Sequence, residues 1–92
     1  MIKYNTAFQK KIEDILHEGG YIVRYEKGNF NSGFCALEKK RVVVINKFHP
    51  LDAKINSLVE ILGIVELDMS GLSDASVKLF HELKPEHAPT LL

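Results

Sequence analysis

Few residues of this chain have the types and spacing that catalysis or metal binding demands. Its four histidines are His17, His49, His81 and His87, and its one cysteine is Cys35. His81-Glu82 followed by His87 has the composition of a helical zinc-hydrolase motif. Its spacing is wrong, because such a motif needs two histidines four apart to share one helix face. Here they are six apart, with Pro85 between them. Cys35 lies among apolar neighbours in a strand-like run, with no helix N-terminus beside it to lower its thiol pKa, and reads as a small core residue. Gly28 and Gly33 flank a turn, not a strand-to-helix junction, so they do not form a phosphate cradle. We therefore expect no catalytic residue, no metal and no cofactor.

Surface recognition is better represented. Tyr21, Tyr25, Phe30 and Phe34 lie on or near strand-like segments, with Arg24, Lys27, Lys39, Lys40 and Arg41 close in sequence. Rings for stacking and cations for phosphate are the chemistry of single-stranded nucleic-acid binding. Ser32-Gly33-Phe34-Cys35-Ala36-Leu37 is faintly similar to an RNA-recognition strand, but it lacks the basic first position and the later aromatics. Two further aromatics stand where loops should be: Phe30 in the Gly28–Gly33 turn, and Phe48 in Lys47-Phe48-His49-Pro50. Exposed aromatics of this kind anchor protein interfaces. The candidate interaction residues are thus Phe30, Phe48 and His49, with Lys39, Lys40 and Arg41 as a charged turn. The first expectation is a non-catalytic protein-interaction or homo-oligomerisation module. A second reading is single-stranded nucleic-acid binding through the sheet and the 39–41 turn. A third is a small-ligand binder or enzyme with a site between protomers.

The elements that must position these residues follow from periodicity. Phe8, Ile12, Ile15 and Leu16 recur at helical spacing, which predicts a helix over 6–18. Asn5 or Thr6 can cap it, Thr6 with Gln9 fits a capping box, and Gly19-Gly20 ends it. Tyr21–Tyr25 alternates as a half-buried strand, and Phe34–Glu38 is a second. Arg41–Asn46, carrying Val42-Val43-Val44-Ile45, is the strongest strand and apolar on both faces, which predicts the central or the best-covered strand. Short connections predict antiparallel hairpins. Ile55, Leu58, Val59 and Leu62 then mark a helix from Pro50 to Gly63. Residues 64–69 fit either an extension of that helix or a short strand. Ser73 caps a last helix to about Leu83, with Leu72 and Val77 as a hydrophobic staple and Pro85 as its stop. The expected fold is α+β, in the order α-β-β-β-α-α. Its sheet is a three-stranded antiparallel meander with the helices on one face. A single domain over 1–85 would be followed by a flexible tail over 86–92. A helix-turn-helix reading of 55–83 fails, since the gap from Gly63 to Ser73 far exceeds its usual turn.

One segment resembles a known family. Val42-Val43-Val44-Ile45-Asn46, a Pro-containing loop, and Lys54-Ile55-Asn56-Ser57-Leu58-Val59-Glu60-Ile61-Leu62-Gly63-Ile64 look like the core of ImmA/IrrE-type zinc metallopeptidases. The resemblance spans about residues 33–64. Ser57-Leu58-Val59 and Leu62-Gly63 match that family's active-site helix. Its chemistry-bearing positions do not: the first zinc-ligand His falls on Glu60, the general-base Glu on Ile61 and the second His on Ile64. Isoleucine neither binds zinc nor takes a proton, so the likeness implies at most a related scaffold without peptidase activity. The chain is also similar to small bacterial proteins with a Gly-Asn-Phe-x-Ser-Gly-Phe-Cys hairpin and an Ile-Asn-Lys-Phe loop, a likeness that brings no activity.

Composition bounds these readings. The 92 residues are 46% apolar and 26% charged, with twelve basic and twelve acidic side chains. That length fits one globular domain. No apolar run reaches the roughly 18 residues a membrane span needs. A single cysteine excludes an internal disulfide, and no signal-peptide layout opens the chain, so a cytoplasmic protein is expected. The charge is uneven: residues 1–50 carry nine basic and five acidic groups, and residues 51–92 carry three and seven. Where the two halves pack together the imbalance is incidental; as a two-faced surface it favours self-association or an oriented partner.

Overall fold

The computed structural model describes residues 2–29, 32–37 and 40–87, and the side chains of these except at 33–37, 40 and 84–87. The chain folds as α1 (Thr6–Glu18), β1 (Ile22–Glu26), β2 (Gly33–Leu37), β3 (Lys40–Asn46), α2 (Leu51–Leu62), a 3-10 turn (Met69–Gly71) and α3 (Asp74–His87). Asn5 is the cap of α1, its Oδ1 accepting the Phe8 N–H at 2.8 Å, which satisfies one of the free donors of the first turn. Gly20, at φ 101°, makes the reversal from α1 into β1 in a conformation that favours glycine.

The sheet differs from the expected antiparallel meander. Its order is β1-β3-β2, with β3 parallel to β1 and antiparallel to β2. The physical reason lies in β3. A meander would leave this most apolar strand on an edge with one row of backbone groups unpaired. In the centre it is paired along both sides. The cost is topological, since a parallel pair needs a long crossover. Here β2 itself, with its flanking loops, supplies that crossover between β1 and β3. β1 and β2 therefore do not form a tight hairpin: Gly28, at φ 155°, and Ser32 both meet the end of β3.

One core joins the helices to one face of the sheet. Ile12, Ile15, Leu16, Val43, Ile45, Ile55 and Leu58 are fully buried, and Val23 and Tyr25 of β1 pack against them. Alternation along the strands puts Ile22, Arg24, Val42 and Val44 on the other face; none of them belongs to the core. At the C-terminus of α1, the Glu18 carboxylate accepts the Ser73 N–H at 2.9 Å, and Gly19 O accepts the Asp68 N–H at 3.0 Å. Gly71 lies so close to Glu18 O that a Cβ there would strike it.

Residues 64–68 neither extend α2 nor form a strand, and Met69 opens the 3-10 turn. After Gly63 the chain turns, with Ile64 and Val65 both donating to Ile61 O, and reaches the 3-10 turn as a loop. Ser73 does cap α3, its Oγ accepting the Ser76 N–H at 3.2 Å. Pro85 does not end that helix, which runs to His87. A proline removes one helical bond, here to the carbonyl four residues back, and near the end of a helix few further bonds depend on it. Residues 86 and 87 of the expected tail thus belong to α3, and 88–92 lie outside the described residues. No helix among the described residues is long and apolar enough to cross a membrane.

Candidate interaction surface

The site is built around Asn46, the last residue of β3, which is 3% exposed. Its Nδ2 donates to Gly28 O at 2.8 Å, and its backbone N–H donates to Ser32 Oγ at 3.0 Å, so the 27–32 crossover is tied down over the strand end. Its Oδ1 accepts the Phe48 N–H at 2.9 Å, and its carbonyl accepts the His49 N–H at 3.2 Å. The Lys47 N–H donates to Glu26 O at 2.8 Å and extends the β1–β3 ladder. The turn from β3 into α2 therefore has its backbone donors satisfied one after another, and such a turn is held in one shape.

Phe48 projects from that turn with 68% of its surface exposed. It does not fold back onto the core. The neighbouring His49 is half-buried, and its Nδ1 is buried without a hydrogen-bond partner among the described residues. Phe48 and His49 are thus neighbours on this one turn. Phe30 and Lys39 lie outside the described residues, and of Lys40 the structure describes only its place at the start of β3.

Arg41 stands at the opposite end of β3, five residues and roughly 16 Å from Asn46 at strand rise. Its guanidinium lies 5.7 Å from the Tyr21 ring centroid and donates to Glu66 O at 3.3 Å. A cation stacked on a ring and bonded to a loop carbonyl staples the 64–68 loop to the sheet. Of the described candidates, Arg41 therefore does not share one site with Phe48 and His49. Of the rings expected to stack bases, the two whose side chains are described, Tyr21 and Tyr25, are already engaged. Tyr21 is buried at 5% exposure. The Tyr25 hydroxyl donates to the Glu13 carboxylate and accepts from Gln9 Nε2 at 2.9 Å. Burial, and then the bond to Glu13, push the Tyr25 phenol well above its ordinary range.

Beside Arg41 lies an open groove of about 860 Å³, bordered by Gly19, Gly20, Arg41, Glu66, Asp68 and Phe80. The sequence carries no periodic signal for it, because it arises where the ends of α1 and α2 meet the irregular 64–69 loop. At its rim the Asp68 carboxyl is held below its usual range by hydrogen bonds from the Ser70 hydroxyl and N–H, with Arg41 adding to the effect. The positions that match the metallopeptidase motif are spread out: Glu60 is exposed, Ile61 is in the core, and Ile64 lies exposed beyond the end of α2. Among the described residues, no three His, Cys, Asp or Glu side chains gather closely enough to hold a metal ion.

Comparison with known proteins finds no matching family model, no significantly similar curated protein and no significantly similar solved structure.

Proposed function

We propose that this chain is a non-catalytic protein-interaction domain that engages its partner through Phe48. The observation that carries this reading is a large aromatic side chain, 68% exposed, on a turn held by the Asn46 side chain and carbonyl and by the carbonyl of Glu26. Interface energy concentrates in a few aromatic anchors. An anchor on a backbone that is already ordered does not have to be immobilised on binding, and that cost otherwise subtracts from affinity. Burying a Phe side chain contributes about 1.5–3 kcal/mol. The turn spends buried hydrogen bonds on presenting a side chain that adds little to the core.

The test is a tagged pull-down from the native host, with and without nuclease, comparing the wild type with Phe48→Ala. The expected result is a nuclease-resistant protein partner that the variant loses at unchanged melting temperature. Equal capture by both proteins would overturn the anchor, and nuclease-sensitive recovery would transfer the function to nucleic acid.

A further inference from the structure

We propose that the uncovered face of the sheet is covered by the same face of a second copy of this chain. Core packing on the other face, together with strand alternation, leaves Ile22, Arg24 and Glu26 of β1 beside Val42 and Val44 of β3. Ile22 is opposite Val42 and Arg24 is opposite Val44. Ile22 is 52% exposed. A sheet face turned to water ordinarily carries polar side chains. Here the central strand places valines on it and the edge strand adds an isoleucine, an arrangement that gains free energy when water is removed.

Charge selects the occupant. At the edge of the apolar ranks, Arg24 Nε lies 3.3 Å from Glu26 Oε2, with the two side chains 62% and 49% exposed. A two-fold interface sets a patch against itself. A patch of one sign would therefore repel its own image, whereas one Arg and one Glu two residues apart can exchange partners. Arg24 then meets Glu26 of the second copy, and Glu26 meets its Arg24. A nucleic acid would require an excess of positive charge on this face, and a strongly charged peptide an excess of the opposite sign to its own. Among the described side chains of this face, that pair supplies the charge; it is neutral and suits neither. Three strands at about 4.8 Å spacing and 3.3 Å rise span roughly 10 by 20 Å, which places the contact in the small, weakly held class of interfaces. The dimer is therefore concentration-dependent. The inference rests on the interaction-domain reading, but its test reads residues of the sheet face and not the Phe48 side chain, so the two failures are distinguishable.

Sedimentation equilibrium of the full chain, from low micromolar to near-millimolar protein, tests it. The wild type is expected to pass from monomer to dimer over that range. Val44→Lys should be monomeric throughout with an unchanged far-UV spectrum. Should it fail to fold, Ile22→Lys, at an exposed edge position, takes its place. Arg24→Glu and Glu26→Arg should each weaken the dimer about tenfold, because two-fold symmetry applies each altered pair twice. The double reversal should recover it, and Phe48→Ala should leave it unchanged. A wild type that stays monomeric, a dimer that survives Val44→Lys and Ile22→Lys, or a double reversal no better than the singles would overturn the proposal. So would a Val44-dependent complex with a different protein in place of the dimer.

Discussion

Asn46 shows how much of this structure hangs on a single side chain. It is buried, at a strand end where an aliphatic residue would continue the Val-Val-Val-Ile run. Its amide spans two loops, donating to Gly28 O and accepting from the Phe48 N–H. Removing it would leave a buried carbonyl and a turn N–H without that partner, and each unsatisfied group costs about 1–3 kcal/mol. Asn46→Ala should therefore lower the urea midpoint markedly at unchanged m-value. A midpoint within error of wild type would show that the loop is held by other means. Phe48 behaves in the opposite sense. Its exposed ring contributes little to folding, which is why Phe48→Ala can be read as a binding variant and not as a folding one. In the sequence these residues were only a strand's last position and a loop aromatic. Phe48 was legible as a candidate because loops seldom spend a large apolar side chain without use. The role of Asn46 was not, because its partners lie 18 and 2 residues away on different segments.

Among the elements, α1 and α3 are joined through one carboxylate. Glu18, near the end of α1, accepts the Ser73 N–H at the start of α3, and that bond holds its carboxyl below the ordinary value near 4.5. A folded-state pKa lower than the unfolded one means that the folded protein binds its proton less readily. The contribution of Glu18 to stability is then present above about pH 4.5 and is lost as the pH falls through its folded value. Asp68 acts in the same sense from its ordinary value of 3.8. Melting temperature should fall on acidification below about pH 4.5, and Glu18→Gln should make that acid limb shallower. Parallel acid limbs in thermal melts of the two proteins would exclude the link. The helices themselves were plain in the apolar spacing, and the Ser73 cap was legible in its residue type. The contact from Glu18 was not, because 55 residues separate the partners.

For the whole molecule, one small core carries the fold. Leu58 is fully buried between the sheet and its neighbouring helices. Leu58→Ala should cost about 2–5 kcal/mol, from the lost burial and the cavity left behind. A domain this size has only about 5–15 kcal/mol in total. The variant should thus unfold at a greatly reduced denaturant midpoint, and a shift of less than about 1 kcal/mol would mean that the core is not packed as described. That core lies on one sheet face, and the second copy proposed for the other would add stability that grows with protein concentration.

What the sequence determined by itself is local. The helix stripes, the Asn5 and Ser73 caps, the stops at Gly19 and Gly63, and the alternation that turns Tyr21 inward and Ile22 outward all depend on neighbours within a few residues. Those short-range forces act on the chain in the same way whatever the rest of it does. Only the tertiary structure decided the strand order, the parallel pairing of β1 with β3, the course of 64–69, and the separation of Arg41 from Phe48. These depend on which arrangement pairs most backbone groups and buries most apolar surface at once. The central place of β3 was legible because it is the most apolar strand. The order around it was not, because a hairpin and a crossover both satisfy the local pattern, and only the pairing of both edges of β3 separates them.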